Sequence, residues 1–375
     1  MRSLERACVS SASATTSIMN AFRIVAASLS IAAALSLPRA GAAPFVDVLD
    51  TPAQMSPLAQ RSLLQGIAHA GERLVAVGQR GHVLVSRDGG TSWKQSPVPV
   101  SSDLTAVFFV DDQRGWAVGH DGVVLHSEDG GDSWQLQLDG RKANEILVAA
   151  MARKVEAEPS DDAKKRLAET KRYAEQGADK PFLDVWFANA DEGYVVGAYN
   201  LIFRTTDGGK SWTSWFDRTD NPKYFNLYAI RPVAGELYVA GESGLVMKLD
   251  ADTKRFKALD TGYAGSYFGV AGTKSSVLVF GLRGTVYRSD DAGRTWAKVE
   301  TGLQGTVVAA ERSPSDAVLL ADVGGHIVGS DDGGRTFKPV ALERSMPVTG
   351  IADAGAKRLA LVGPRGVAVT GLAGR

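Results

Sequence analysis

Five aspartates recur in one local setting. Asp88, Asp129, Asp207, Asp291 and Asp332 each sit two residues after a Ser or Thr and two before a Gly. A Ser or Thr follows at the fourth position and a Trp or Phe at the fifth. Recurring carboxylates invite an acid–base reading, but the same residue types at this spacing build a turn. The carboxylate folds back to accept amide hydrogens, and the glycine supplies a backbone with φ > 0. The aromatic ring then anchors the strand that follows. The turn reading is preferred, because the stretch Leu249 to Phe256 drops the pattern yet keeps its aromatic end. A turn can be built another way, whereas a catalytic set could not be spread so loosely. No residue is assigned a catalytic role, so the chain reads as a non-enzyme. The single cysteine, Cys8, excludes a disulfide framework and a cysteine-rich metal site. The five histidines are scattered, and no metal or cofactor is expected.

The elements that carry these turns repeat. Each aspartate motif follows a short apolar strand and a Gly-x-x-Gly-like hairpin. The hairpins begin at Gly78, Gly119, Gly197, Gly241, Gly281, Asp322 and Gly363. Their last positions, Gly81, Gly122, Asn200, Gly244, Gly284, Gly325 and Gly366, are spaced by 41, 78, 44, 40, 41 and 41 residues. Each unit reads as four short strands, as in Leu104–Val110, Gly115–Gly119, Val123–Ser127 and Trp134–Leu138. A four-stranded meander at this period predicts an all-β, seven-bladed β-propeller. The long second gap predicts a helical insertion between blades 2 and 3, over residues 141–180. Lys142 to Glu158 favours helix, Ser160 caps a second helix, and Gly177 ends it.

Residues 1–42 read as a secretory signal peptide: a basic start, the apolar stretch Ile24 to Leu37 and an Ala-x-Ala end. Met19 is an alternative start. Residues 43–375 then form the propeller, exported to the periplasm. The last unit lacks a fourth strand, and residues 45–49 are expected to supply it by pairing with 366–370, which would hide the blade's edge.

The Asp-containing motif is similar to the Asp box of bacterial-neuraminidase-type repeats. Sialidases share it but need an arginine triad and a Tyr/Glu nucleophilic pair, and the nearest string, Ile230-Arg231-Pro232, is mid-chain and in the wrong order. The leader, the seven units, the GxxGxVxxSxDGGxSW phrasing and the string Phe182 to Gly197 resemble the photosystem II stability/assembly factor propeller family. That resemblance implies an exported, non-enzymatic factor, in the periplasm or, if the source is photosynthetic, the thylakoid lumen, that binds a membrane-protein subunit during assembly. Glycoside hydrolysis of sialidase type, or an accessory role in an envelope export system, is the alternative.

Antiparallel topology puts the Asp boxes on one face of the ring and the Gly-x-x-Gly hairpins and blade connectors on the other. The second face carries the candidate partner-binding residues Arg80, Arg283, Arg365, Arg218, Arg344, Tyr224, Tyr263 and Tyr267, the residue types of binding hot spots. Lys and Arg balance Asp and Glu at 42 each, so no global field favours nucleic acid. Arg80, Arg283 and Arg365 share the third hairpin position of units one, five and seven, an arc that predicts docking of an acidic stretch or C-terminal carboxylate of a client, a membrane-protein subunit or an acidic peptide segment. The 141–180 insertion is a second candidate contact, to a client or to a membrane surface. A monomer is expected.

Overall fold

The computed structural model describes residues 46–313 and 315–373. The signal-peptide segment and Phe45 lie outside the described residues. Seven antiparallel sheets follow one another along the chain, six of four strands and a last one of three. In the second sheet the strands are Leu104–Phe109, Gly115–Gly119, Val124–Ser127 and Gln135–Leu138, joined in simple up-and-down order. The first strand of each sheet contacts its counterpart in the next, and the first strand of sheet seven returns to that of sheet one. The chain is therefore a closed seven-bladed propeller with its first strands innermost.

The strands are short because each is stopped by residues that cannot extend it. At the second-to-third strand hairpin, the first Gly of Gly-x-x-Gly abuts the lead-in to its own blade. A Cβ at Gly78, Gly119 or Gly281 would run into the carbonyl oxygen of Leu63, Asp103 or Ser266. The third residue is left-handed in five blades, with φ between 53° and 57° at Arg80, Asp121, Tyr199, Ser243 and Arg283. In blade six Asp322 replaces the first Gly. Its carboxylate accepts the N–H groups of Gly324 at 2.9 Å and His326 at 3.0 Å, in space left open by Gly305.

The helical insertion is present. Helix α1 spans Gly140–Ala157 and helix α2 spans Asp161–Glu175. Asp139 caps α1 through Lys142 N–H, and Ser160 caps α2 through Ala163 N–H. Gly177, at φ 89°, ends the second helix in the left-handed conformation that suits glycine. The pair buries Ala143, Leu147, Met151 and Tyr173 against Phe182, Phe203 and Phe216 of blade three. Among the described residues, no helix is long and apolar enough to cross a membrane.

The expected closure by residues 45–49 does not occur. Residues Val48–Asp50 form a 3-10 turn capped by Asp47 and lie against the connector between blades one and two. Ser101 N–H donates to Val48 O at 2.9 Å, and Leu49 is buried in the core shared by those blades. Burying Leu49 and capping the turn hold this segment away from blade seven. The ring closes instead by packing: Val362 and Val367 of blade seven meet Leu64, Ala76 and Trp93 of blade one, and Thr349 Oγ1 donates to Leu64 O at 2.8 Å.

Blade-to-blade contact is aromatic where the insertion sits. Trp116 of blade two is fully buried, stacked on Phe187 of blade three with ring planes 7° apart. Replacing Trp116 by Ala removes the largest fully buried side chain and opens a cavity between two blades. The expected loss is about 3–5 kcal/mol of unfolding free energy in a urea titration. A change below about 1 kcal/mol would mean that the two blades repack around the missing ring.

Candidate functional site

All five box aspartates are occupied by their own turns. In blade one Asp88 Oδ1 accepts the Ser86 hydroxyl and Ser92 N–H, both at 2.9 Å, and Oδ2 accepts the Ser92 hydroxyl at 2.6 Å. The Ser86 hydroxyl also accepts Gly90 N–H at 2.8 Å, and Trp93 Nε1 donates to Gly90 O at 3.0 Å. The same hydroxyl–carboxylate–amide set recurs at Asp129, Asp207, Asp291 and Asp332. The boxes also receive the preceding blade: Ser96 Oγ donates to Gly131 O, Gln137 Nε2 to Gly208 O, and Arg288 Nε to Gly333 O. In blade four the turn is made differently, with Asp250 Oδ1 accepting Asp252 N–H and Thr253 N–H. Each of these carboxylates is bonded within its own turn, one to a blade.

The opposite face holds the candidate arginines. Arg80, Arg283, Arg365, Arg344 and Arg218 are all exposed. Among the described residues the guanidinium groups of Arg80, Arg283, Arg365 and Arg344 have no hydrogen-bond or ion-pair partner. The Arg80 backbone N–H donates to Asp103 Oδ1 at 2.7 Å, which fixes the hairpin and leaves the side chain free. Blades five, six, seven and one thus present Arg283, then His326 and Arg344, then Arg365, then Arg80. Across the ring, blades two to four present Asp121, Tyr199 and Glu242 instead. The hairpin-tip cations thus gather on blades five to one, a half whose connectors also carry acids, among them Asp103, Glu300 and Glu343.

Arg218 and the tyrosines do not join these cations. Arg218 lies over the ring of Trp215, 5.1 Å from its centroid, in the connector from blade three to four. Tyr224 is half-buried, stacked 5.3 Å from Phe216, with Arg166 of α2 above it; burial pushes its phenol up. Tyr263 is half-buried beside Tyr267 and Tyr287. Tyr267 is fully buried, its hydroxyl 2.8 Å from Thr261 Oγ1, so it offers nothing to a partner at the surface. Trp215 and Phe216 are buried as well. The insertion is seated on this aromatic cluster, and Lys154 of α1 reaches Asp217 at 2.8 Å. Its outer face mixes both signs, with Lys142, Glu145, Arg153, Glu156, Lys164 and Lys165 exposed.

Sequence reasoning missed two polar features. The innermost strands enclose a central cavity of about 200 Å3, lined in part by Thr105, Asp184, Tyr228, Arg231 and Phe268. Asp184 is buried there and accepts Arg231 Nη1 at 2.6 Å and Ile230 N–H at 2.8 Å. Burial pushes the Asp184 carboxyl up, against the pull of Arg231. The second feature is the pairing of the exposed His326 Nδ1 with the buried Asp322 carboxylate, at 3.0 Å. An Asp where the other hairpins carry Gly was the visible signal for it. Among the described residues no group of His, Cys, Asp and Glu side chains could hold a metal ion.

Comparison with known proteins fits this geometry. The family model for the photosynthesis system II assembly factor YCF48 matches residues 58–158 and 166–327. A curated relative from Synechococcus sp. (strain CC9902), the photosystem II assembly lipoprotein Ycf48, is 29% identical over 157 residues. That alignment covers 41% of this chain and 47% of the relative, so the chain spans about half the length of the curated relative it matches. A solved YCF48 from Cyanidioschyzon merolae superposes with a TM-score of 0.58 at 17% identity, covering 85% of this chain and 98% of that one. A YCF48 bound to D1 peptide superposes with a TM-score of 0.58 at 16% identity, covering 84% and 95%.

The box carboxylates make the fold sensitive to acid. The Ser92 hydroxyl, Ser92 N–H and Ser86 hydroxyl lower Asp88 to about 2, and the Thr295 hydroxyl and N–H lower Asp291 to about 2. The Thr336 hydroxyl lowers Asp332; at Asp129 and Asp207 burial opposes the shift, but the Ser133 and Ser211 hydroxyls still bring the carboxyls down. Folded values below the unfolded value of about 3.9 mean stability that is present above pH ~4 and lost as pH falls toward ~2. The melting temperature is expected to drop through that window, and less steeply in an Asp88→Asn/Asp291→Asn variant. Parallel curves for variant and parent would show that these two carboxylates do not drive the acid transition.

Proposed function

Because the chain belongs to the photosynthesis system II assembly factor YCF48 family, we propose that it is an exported, non-enzymatic docking platform for a segment of a membrane-protein subunit. The observation that carries this reading is the concentration of exposed guanidinium groups on one half of the hairpin face. Arg80, Arg283 and Arg365 project from the hairpins of blades one, five and seven, and Arg344 from the connector between blades six and seven. Arginine's planar fork matches carboxylates in pairs of parallel hydrogen bonds. The chain's net charge is zero, so the patch is a local feature and would select an acidic segment by position rather than by a general field. The solved relative named as bound to D1 peptide supports a peptide as the ligand class. Binding without catalysis accords with box aspartates that are all bonded within their own turns. The name of the curated relative supports a location outside the cytoplasm or at a membrane.

The test is titration of the purified protein with D1 peptide, followed by fluorescence anisotropy at two salt concentrations. Three exposed charged contacts at about 0.5 kcal/mol each amount to roughly tenfold in affinity. Arg80→Glu/Arg283→Glu/Arg365→Glu is expected to weaken binding by at least that factor, with an unchanged melting temperature. Raising the salt should weaken the parent complex and scarcely affect the variant, because exposed charges are screened over about 8 Å at physiological ionic strength. Equal affinities for parent and variant would place the docking surface elsewhere.

A further inference from the structure

The seventh blade is one strand short, and its open edge has a definite size. Its third strand, Gly366–Gly371, pairs with Arg358–Gly363 through a two-residue turn that sets Gly363 opposite Gly366. In that register Val367 and Val369 turn their N–H and C=O groups away from the partner strand. Val362, opposite Val367, shows the same phase: its carbonyl is used on the other side, accepting Thr349 N–H at 2.8 Å. Farther along, the outward side is taken by the chain itself. Glu343 N–H donates to Gly371 O at 3.0 Å, and Ala373 N–H donates to Ala341 O at 2.8 Å. The chain then departs, with Arg344 N–H turned to Thr370 Oγ1 at 3.0 Å. Among the described residues nothing pairs with the outward groups of Val367 and Val369. In blades one, three and five the outer strand pairs over two residues, so the gap matches one ordinary outer strand.

We propose that this edge takes up an extended acidic segment of the client as the fourth strand of blade seven. The inference rests on the docking reading above and adds how the segment is held. Main-chain pairing supplies affinity without demanding a particular sequence, as in other strand-addition complexes. Charge selects the occupant. Arg365 precedes the open stretch, Arg61 lies against Gly366, and Arg344 stands at the far end beside Thr370. None of these three guanidinium groups has a partner among the described residues. The acid in this neighbourhood, Glu343, sits at Gly371, beyond the open stretch. The chain's own residues 47–61 run along blade one; their last turn, Ala59–Arg61, packs against Gly366 and Val367, but no hydrogen bond joins it to the outward groups of Val367 and Val369 among the described residues. A second copy would bring its own arginines edge to edge with these, like charge against like. The stretch Val367-Ala368-Val369 also lacks the Lys or Pro that commonly blunts an exposed edge.

The experiment uses a fluorescent synthetic peptide of alternating Glu and Val, and two versions N-methylated at every second amide, one in each phase. If the peptide adds as a strand, methylation in one phase abolishes binding and methylation in the other leaves it intact. Bound peptide should also slow hydrogen exchange at the Val367 and Val369 amides. Val369→Pro, which removes an outward N–H and no bond within the blade, should weaken binding by roughly tenfold. If both methylated peptides bind like the parent while Arg61→Glu/Arg344→Glu/Arg365→Glu does not bind, the basic docking surface stands and strand addition is overturned. If neither the methyl groups nor the charge reversals matter, or if the parent peptide fails to bind, both readings fall.

Discussion

The molecule depends on one small bonding pattern: a hydroxyl and a carboxylate two residues apart that close a turn on themselves. In blade one the Ser86 hydroxyl and the Asp88 carboxylate bond to each other and to the amides and hydroxyl of their own turn. One such box is a modest gain, and five repeated around the ring add up in a fold whose net stability is small. The turn acts beyond its own blade, because its carbonyls accept from Ser96, Gln137 and Arg288 of the preceding blades. On the opposite face the hairpin amides of Arg80 and Tyr199 are held by Asp103 and Asn226 from the lead-in to the next blade. Blades one and two are thus fastened at both ends and other neighbours at one, and the ring closes without a strand exchanged between its termini among the described residues.

That economy divides the two faces. On the box face the recurring Ser or Thr and Asp side chains are committed to the turns. The hairpin face is fixed mainly through backbone N–H groups, so the side chain at the third hairpin position is free. Asp121, Tyr199, Ser243 and Arg283 occupy nearly the same backbone conformation there, with φ from 53° to 57°. Specificity can then vary around the ring while the scaffold stays constant, the usual division between rigid framework and recognition loop.

Periodicity made most of this legible. Strands, hairpins, boxes, the Ser160 cap and the Gly177 stop follow from short-range residue patterns, and short-range patterns are what one sequence displays. Three things were not legible. Phe45 to Leu49 alternates like a strand, but Leu49 finds a deeper burial site between blades one and two, and a non-local packing gain overrides the local pattern. Tyr267 and Trp215 look like exposed hot-spot aromatics from their place in connectors, yet they fill the space between blades. The ion pair of Asp184 and Arg231 joins the innermost strands of two blades, residues 47 apart that the propeller's closure brings together.

The arginines of blades five to one are carried by different backbones. Arg80 and Arg283 sit in left-handed conformations, which cost a non-glycine residue about 1 kcal/mol or more. Arg365 follows Pro364 in a two-residue turn, Arg344 lies in a connector, and Arg61 ends a 3-10 turn. Turn chemistry asks for arginine at none of these places; Asp, Tyr and Ser serve equally well at the corresponding hairpin position of blades two, three and four. What the five positions share is location, around blades five to seven and the start of blade one, where the last sheet is also left open. A local steric or capping requirement would have produced one residue type on one backbone. Several backbones converging on one charge is the pattern that the proposed acidic client would require, and the valine edge, unpaired among the described residues, lies inside that same arc.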